Sequence, residues 1–501
     1  MNMAEKKQEQ REGKLVEEPL KRLSQDQVEL VDEVSRELLE DPGLVCYNDE
    51  AVELYRDAGA TVEDGEEGAK RVRLPSSVID EALESAPSTV VLGAREPSNR
   101  LVLDAEEPRS RFVSGSETNV WLDVEFDGGT QPEFVRRQGN IERLCRAAHL
   151  ADNLENLDSF IRCVNIQDDE VTNDNKDVNK LLASLNNITK HVQAGLTNLD
   201  SLDDVIRMGE IIAGGEDEFL EEPPISFITC VIKSPLQVVE DTGDKLIEIA
   251  RRGAPVVISS SPMGGATAPF DEFGMVGQIN AELLAGVTLN QLANPGAPVL
   301  YGSVPVRTRL DTLEDMYGAP EFNHYNLDCT QMARHYGLPC YSTAGVGDSS
   351  QPGVQATAEK MLTLSGVPRG GAQYIHYAFG LLERTNVFCP VQAILDDAHI
   401  GMVKHSLTAS PIGEDEKDRV LDTVREVMDT DHRTYMYHLP LPTESDIYVN
   451  YPLESEEGDA LYAARQKYDD ILERDRNHLP EELQDEIRSE VPDVLDKTLN
   501  S

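Results

Sequence analysis

The centre of this 501-residue chain alternates short apolar runs with longer segments of helical periodicity. Helical patterns are clearest at 277–293 and 321–337. Runs rich in β-branched and other apolar residues predict eight strands, at 111–115, 159–166, 191–195, 226–232, 255–261, 298–303, 339–345 and 373–377. Strands that alternate with helices form parallel sheets, and eight such units close a barrel. We therefore predict an α/β fold built on a (β/α)8 TIM barrel.

The main alternative to the barrel is a doubly wound open sheet, whose strand ends carry glycine-rich phosphate loops. The stretch PVVISSSPMGGATAP at 255–269 tests this alternative. Here Gly264 and Gly265 are adjacent and no lysine follows within the loop, so neither phosphate-binding spacing is present. Met263 places a thioether where a nucleotide site needs N–H donors. We favour the barrel and expect this loop to form a close-packed wall for a small, weakly polar ligand.

The pattern changes on both sides of the predicted barrel, which we place at 109–405. Residues 1–20 are charged and without periodicity, which is typical of a disordered tail. Residues 21–108 mix short helical and strand patterns, which predicts an N-terminal α/β cap. The C-terminal extension at 406–501 contains charged helical patterns, so we predict helices that wrap the barrel or join the subunits of a homo-oligomer.

The composition indicates an acidic surface. The chain has 92 acidic and 45 basic residues, a formal net charge of −47, and the acids are spread along its whole length. Such a charge repels nucleic acids and anionic membranes, and it is typical of halophilic proteins. The N-terminus has no apolar signal-peptide core, no window reaches 18 apolar residues, and the seven cysteines include no C-x-x-C pair. These features predict a cytoplasmic protein with reduced thiols.

The predicted strand ends carry amides, hydroxyls, aromatic rings and a thioether, and few charges. Barrel active sites lie at these ends, and this set lacks the facing carboxylates of a glycosidase and the clustered ligands of a metal site. His376, in YIHYAFG, is the one histidine at a predicted strand end; the alternative is a packed core histidine. Aromatic residues near strand ends are core residues or, if three face one pocket, a cage for a quaternary ammonium: Trp121, Tyr301, Tyr341, Tyr374, Tyr377 and Phe379.

Several long blocks, in order, resemble one known family. They are PVVISSSPMGGATAP, NAELLAGVTLNQLANPGAPVLYGS, YGAPEFNHYNLDCTQMARHYGLP, YIHYAFGLLE and VQAILDDAHIGMVK. These blocks closely resemble the trimethylamine methyltransferase family, corrinoid-dependent enzymes with a (β/α)8 barrel, and the similarity spans about 24–405. Founding members carry pyrrolysine, and STAGVGDSSQPG after the seventh strand looks like the matching segment without it. The chain therefore resembles the non-pyrrolysine branch, whose known members demethylate quaternary amines such as glycine betaine.

The resemblance implies a function and a set of site residues. It implies methyl transfer from a quaternary amine to the Co(I) centre of a partner corrinoid protein, with no cofactor or metal held tightly by this chain. Alternatives are another methylated amine such as trimethylamine, or a betaine-binding protein without turnover. We assign His376 and Asp348 as catalytic residues. We assign substrate contacts to Tyr301, Tyr341, Tyr377, Phe379, Arg307 and Gln193, and a corrinoid-facing wall to Ser261, Met263, Gly264 and Gly265.

Overall fold

A computed structural model describes residues 3–126, 128–410, 412–431, 434–435, 453 and 458–500. Its central feature is a curled sheet in which eight strands run parallel. We number these β1 to β8: Arg109–Phe112, Phe160–Ile161, Val192–Ala194, Ile225–Thr229, Val256–Ser260, Val299–Ser303, Cys340–Thr343 and Tyr374–His376. Each of these strands overlaps one of the eight runs predicted from the sequence. Mixed α/β architecture is thereby confirmed.

The strands pair in an order that follows the chain. From β2 to β8 each strand is the parallel neighbour of the next, and β8 pairs with β1. The two ends of this series meet at a single parallel bridge between Val113 and Ser159, beside a hydrogen bond of 2.8 Å from the Asp158 N–H to the Phe112 carbonyl. The strands are short, and nearly all their residues are buried because helices cover the sheet.

The helices between the strands pack on the outer face of the sheet. The long helix Glu272–Ala293 is buried along most of its length, and its polar residue Asn280 is satisfied by Ser35 and Tyr336. An aspartate, Asp271, caps its N-terminus. The helices of this central region are Ile141–Asn153, Lys176–Leu185, Leu202–Ala213, Glu216–Glu221, Glu240–Arg251, Glu272–Ala293, Pro320–His335, Val354–Gly366 and Pro390–Ser406, with short 3-10 turns at Leu199–Ser201 and Val367–Gly370.

Short strands in the loops form two smaller sheets beside the central one. Met263–Gly264, Val306–Arg309 and Glu314–Met316 make a three-stranded sheet from the segments that follow β5 and β6. A four-stranded sheet contains Val120–Phe126, Pro132–Gln138, Leu381–Leu382 and Val387–Phe388. Both sheets lie beyond the carboxyl ends of the central strands, so they surround that end of the curled sheet.

The N-terminal region combines helices and two antiparallel arrangements. Its helices are Gln25–Glu40, Asp49–Asp57 and Ser76–Ser85, with a 3-10 turn at Pro97–Asn99. Leu44–Cys46, Thr61–Asp64 and Lys70–Arg73 form a five-stranded sheet together with Ile232–Lys233 and Gln237–Val238 from the loop after β4. Thr89–Leu92 and Leu101–Asp104 form a separate pair. The region is therefore tied to the loop after β4 by main-chain hydrogen bonds, while its boundaries as a unit stay a prediction.

The first residues have secondary structure where the charge pattern predicts disorder. Met3–Gln8 is a helix, and Lys14–Leu15 pairs antiparallel with β1. Ion pairs supply the order that an isolated charged segment lacks: Lys6 contacts Glu221 and Glu222, and the Nε of Arg11 lies 2.9 Å from Asp158.

The C-terminal helices lie against the central helices. They are Glu414–Met428, Ala460–Leu472, Glu481–Glu490 and Asp496–Asn500, and residues 436–452 of the extension lie outside the described residues. The charged pattern over 460–488 predicts one long helix, but the structure has two: the first ends at Leu472, and the second begins at Glu481, directly after Pro480. Nε2 of His149, on helix Ile141–Asn153, lies 2.9 Å from the Ile471 carbonyl. This contact joins that helix to Ala460–Leu472. Among the described residues, every helix is too short or too polar to cross a bilayer.

Candidate active site

Alternation along the strands separates the interior face of the curled sheet from the face that contacts the helices. Buried residues on the interior face form one apolar cluster, which includes Val113, Ile161, Val257, Leu300, Tyr341 and Tyr374. Tyr341 pairs in register with Tyr374, and Thr343 with His376. Since side chains two residues apart point to the same face, His376 lies above Tyr374 on the interior side, at the carboxyl end of β8.

His376 is held as a neutral, buried ring. Only 5% of its surface is exposed, and burial lowers its pKa to about 3. The hydroxyl of Tyr341 and Nδ1 of His376 are hydrogen-bonded, while Nε2 has no hydrogen-bond partner. The ring edge lies directly on Gly115: a Cβ at that position would be 1.7 Å from Nε2. Glycine, which has no side chain, is therefore required at position 115, three residues after β1.

Tyrosine rings extend from His376 toward the loops. The ring of Tyr377 stacks at 4.0 Å from that of His376, and Tyr317 meets Tyr377 edge-on at 6.0 Å. Tyr377 has a φ of 73°, an uncommon conformation for an aromatic residue and one that often occurs at functional sites. Burial raises the pKa of both Tyr341 and Tyr377 well above the ordinary value. The cluster of His376, Tyr341, Tyr377 and Tyr317 is consequently uncharged at neutral pH.

Asp348 lies in the loop after β7 and holds the segment that carries Tyr317. Its two carboxylate oxygens accept hydrogen bonds from the N–H groups of Tyr317 and Gly318, at 3.0 and 3.1 Å. Burial raises its pKa, and its own N–H donates to Glu359 at 2.7 Å. Asp348 thus reaches the aromatic cluster through the backbone of Tyr317.

The other predicted substrate residues divide into two groups. Gln193 points into the interior from β3, donates to Ser226 at 3.0 Å, and leaves its side-chain carbonyl oxygen without a partner. Tyr301 faces the helices instead, where its hydroxyl donates to Asn280 at 2.7 Å. Phe379 packs in the large outer core. The structure therefore brings Gln193, Tyr341 and Tyr377 to the interior side and leaves Tyr301 and Phe379 away from it.

Arg307 lies on the small sheet beyond β6. Its guanidinium stacks 3.4 Å above the ring of Phe270 and donates to the Phe270 carbonyl at 2.7 Å. A further contact, at 3.3 Å, reaches the Tyr325 hydroxyl. Through these contacts Arg307 holds the loop after β5 against the strand after β6.

The predicted wall at 261–265 is a tight turn joined to that sheet. Met263 and Gly264 pair in parallel with Val306 and Arg307, and Ser261 is exposed. Gly265 has a φ of +98°, and a Cβ there would be 2.9 Å from the ring of Phe270. The small residues of this stretch therefore serve a compact turn whose surface includes Met263 and exposed Phe270.

Three residues on the interior side were not assigned from the sequence. Tyr317 sits in a loop far from any predicted strand end, and nothing in its local pattern marks it. Gly115 can be recognised in the sequence as a strand-end glycine. That it leaves room for the His376 ring depends on a contact between strands that are far apart in the chain. Cys230, two residues beyond Ile228 on β4, is exposed, whereas Cys46, Cys145, Cys163, Cys329, Cys340 and Cys389 are buried.

Ion pairs lie beside this cluster. Glu117, two residues after Gly115, pairs with Arg162 at 2.5 Å and with Lys176 at 3.2 Å, and the positive charge of Arg162 helps to lower its pKa to about 2 against the opposing effect of burial. Over the described part of the chain, no three His, Cys, Asp or Glu side chains are grouped so that they could hold a metal ion.

Comparison with known proteins identifies the class. Residues 2–438 match the model of the family described as trimethylamine methyltransferase (MTTB). Trimethylamine methyltransferase MttB of Desulfitobacterium hafniense (strain DSM 10664 / DCB-2) is 29% identical over 469 residues, covering 92% of this chain and 90% of that protein. Glycine betaine methyltransferase of D. hafniense (strain Y51) is 28% identical over 404 residues, 78% of each chain. Trimethylamine methyltransferase MttB of Methanosarcina barkeri is 28% identical over 393 residues, 78% of this chain and 77% of that protein.

This chain belongs to the trimethylamine methyltransferase family. The resemblance found in the sequence is thereby confirmed, and a transferase activity of the methylamine and betaine methyltransferase class is supported.

Proposed function

We propose that this protein transfers a methyl group from a quaternary amine similar to glycine betaine to the Co(I) centre of a partner corrinoid protein. The observation that carries the proposal is the uncharged state of the interior cluster. His376 is deprotonated and the Tyr341 and Tyr377 hydroxyls are protonated at neutral pH. When a quaternary ammonium gives up a methyl group, the rest of the substrate leaves as a neutral tertiary amine. This leaving group needs no proton donor, so a cluster without a titrating acid suits the reaction. A tertiary amine would need a proton on its leaving group.

The aromatic rings supply what a cationic substrate needs. A quaternary ammonium over the face of a tyrosine ring gains about 0.5–2 kcal/mol by cation–π attraction. Tyr377 and Tyr317 meet edge-on, so their faces are turned in different directions, and Tyr377 covers one face of His376. The chain's own contribution would be to orient the substrate, because transfer requires methyl carbon, nitrogen and acceptor to lie in line. Co(I), supplied by the partner, would provide the electron pair that receives the methyl group.

The unpartnered interior atoms suit the polar end of such a substrate. Nε2 of His376 is free of hydrogen bonds, and Tyr341 contacts the opposite nitrogen. If Tyr341 donates to Nδ1, Nε2 carries the hydrogen and can donate. We assign the carboxylate contact to His376, and to Asp348 the task of placing Tyr317. Arg307 is a less direct candidate for the carboxylate contact because its guanidinium already stacks on the ring of Phe270.

We also propose that the curled sheet is a (β/α)8 barrel with its mouth at the carboxyl ends of the strands. Support comes from the eight parallel strands in chain order and from the bridge between Val113 and Ser159. In this arrangement the turn at 261–265 and the small sheet after β6 would face the corrinoid partner.

The test is a methyl-transfer assay with reduced free cobalamin and a panel of amines. We expect methylation of Co(I) cobalamin with glycine betaine or a close quaternary analogue, and none with trimethylamine. Turnover of trimethylamine alone would favour the alternative substrate. Saturable betaine binding by calorimetry without methyl transfer to free cobalamin or to a corrinoid protein would indicate a binding protein and contradict the proposal.

His376→Ala tests the site within that assay. Losing a hydrogen bond to a charged group costs about 1.5–3 kcal/mol, or about ten- to a hundredfold in affinity. We expect the KM for betaine to rise or kcat/KM to fall by that factor. His335→Ala is the matched control, because His335 ends a helix and its ring meets that of Tyr336 edge-on, away from the cluster. Full activity of a folded His376→Ala variant would show that the histidine is only a core residue.

A further inference from the structure

A buried lysine and a buried aspartate form an ion pair beside the loops that carry the candidate active site. Lys360 lies on helix Val354–Gly366 between β7 and β8, and Asp396 lies on helix Pro390–Ser406 after β8. Both side chains are fully buried, and Nζ of Lys360 is 3.1 Å from a carboxylate oxygen of Asp396. Taking two charges out of water costs free energy that can exceed their mutual attraction, so such a pair is a poor source of stability.

The hydrogen bonds of the pair go to the backbone of two loops. The lysine ammonium donates to the carbonyl of Gly345 in the loop after β7, and to that of Leu381 in the loop after β8, the latter at 2.9 Å. Asp396 accepts the Gly380 N–H at 2.7 Å. Together with the ion pair, these bonds use all three hydrogens of the ammonium. The two side chains therefore tie the loop after β7 to the loop after β8.

Tyr377 begins the loop after β8, and its backbone needs such support. A residue with a φ of 73° is in a sparsely populated conformation, which persists only where the surrounding structure holds it. Before it, the His376 carbonyl accepts the Ala344 N–H at 3.0 Å. After it, the chain is held at Gly380 and Leu381 by the ion pair. The pair thus fixes the far side of the strained residue.

The two loops also touch at the point that the lysine holds. Gly345 has a φ of +87°, and a Cβ there would be 2.8 Å from Cα of Ala378, the residue after Tyr377. The Ala378 N–H donates to the Val113 carbonyl at 3.0 Å. Since backbone meets backbone at this contact, a movement of the loop after β7 displaces the loop after β8.

We propose that Lys360 and Asp396 are positioning residues of the candidate active site, which hold the loops after β7 and β8 so that the Tyr377 ring keeps its place against His376. The inference rests on the proposed function for the reaction that this placement serves. The pair acts through Tyr377 and does not contact the substrate. An apolar side chain in place of the lysine would fill the same space and leave both loop carbonyls without a donor.

Trp121 reports on the loop after β8 independently of activity. It is the only tryptophan of the chain, it is buried, and its ring lies 5.5 Å from that of Phe388. Phe388 pairs in register with Leu381, and a Cβ on Gly380 would be 2.5 Å from the Phe388 ring. Tryptophan emission therefore responds when this loop leaves its place.

Lys360→Met tests the pair, and Lys190→Met is the matched control. Lys190 is also buried, and its Nζ donates to two backbone carbonyls, those of Ala151 at 2.7 Å and Leu154 at 2.8 Å, near the amino end of β3. Both substitutions remove a buried ammonium and should lower the unfolding midpoint in urea. In the folded state only Lys360→Met should move the Trp121 emission to longer wavelength and lower kcat/KM for betaine at least about tenfold.

Both changes are required. If betaine is turned over and either the emission or kcat/KM of folded Lys360→Met matches wild type, the inference is wrong and the proposed function stands. Equal emission shifts in Lys360→Met and Lys190→Met would indicate general loosening and also overturn it. If no amine is turned over, the emission alone decides. A shift confined to Lys360→Met then supports the pair and removes only the catalytic proposal, whereas no shift removes both.

Asp396→Asn keeps the inference testable if Lys360→Met does not fold. Asparagine has nearly the same shape, but its amide oxygen accepts a weaker hydrogen bond than a carboxylate does. We expect a smaller emission shift in the same direction and a kcat/KM lower by about three- to tenfold. Asp397→Asn is the control, because Asp397 is equally buried on the same helix but accepts the Asn156 N–H at 2.9 Å. Wild-type emission in Asp396→Asn, or an equal shift in Asp397→Asn, would overturn the inference.

Discussion

Replacing Gly115 by alanine is the sharpest test of the geometry around His376. The glycine has a φ of +139°, and a Cβ there would approach Nε2 of His376 to 1.7 Å and Cδ2 to 2.1 Å. Holding a residue in a sparsely populated backbone region costs about 1–3 kcal/mol. Overpacking in a well-packed interior costs about 1–3 kcal/mol more. The sum, about 2–6 kcal/mol, is a large part of the 5–15 kcal/mol that stabilises typical proteins.

The assay pairs unfolding with methyl transfer. We expect Gly115→Ala to lower the unfolding midpoint in urea clearly and, in the fraction that folds, to reduce kcat/KM at least about tenfold because the ring must move. Gly129→Ala is the matched control, since a Cβ there would meet nothing within 4 Å and its φ is outside the left-handed range. That variant should match wild type in both measurements.

A double-mutant cycle separates the two causes. In a His376→Ala background the clash is gone, so Gly115→Ala should cost only the backbone part and the two substitutions should show a coupling of about 1–3 kcal/mol. Additive effects would mean that the alanine methyl and the imidazole do not compete for the same space. If Gly115→Ala behaves like Gly129→Ala throughout, the close contact described above is wrong.

Three further predictions concern pH and salt. Burial lowers the pKa of His376 to about 3 and raises the pKa values of Tyr341 and Tyr377. We therefore expect kcat/KM for a quaternary amine to be constant from about pH 6 to 9. A transition near pH 6.5 would show that a histidine titrates in catalysis. Burial lowers the pKa of Lys190 to about 7 in the folded protein, whereas it is about 10.4 in the unfolded chain. Between these pH values the unfolded state binds more protons, so the free energy of unfolding should rise with pH. Lys190→Met should flatten this rise in urea unfolding at pH 7 and 10, whereas Lys21→Met, at an exposed position, should keep it; equal slopes in both variants would contradict the assignment. The formal charge of −47 predicts that molar KCl raises the melting temperature by screening repulsion, and a constant or falling value would remove the halophilic interpretation.

The amino-acid sequence determined the positions of the strands and the family. Each of the eight runs overlaps a strand of the central sheet, because strands covered by helices are largely buried and most of them are rich in apolar residues. Family blocks such as YIHYAFGLLE depend on residue identity and are readable without coordinates. The choice of His376 as a strand-end residue also needed only the order of the strands.

Only the tertiary structure decided which residues face the interior. Where both faces of a strand are buried, a hydrophobic pattern does not fix which side chains point inward, and Tyr301 and Tyr341 look alike in sequence. The register shows Tyr301 against the helices and Tyr341 against His376. Tyr317 and Gly115 join the cluster through contacts between segments far apart in the chain. Such contacts depend on how distant segments pack together, which no local pattern of residues encodes.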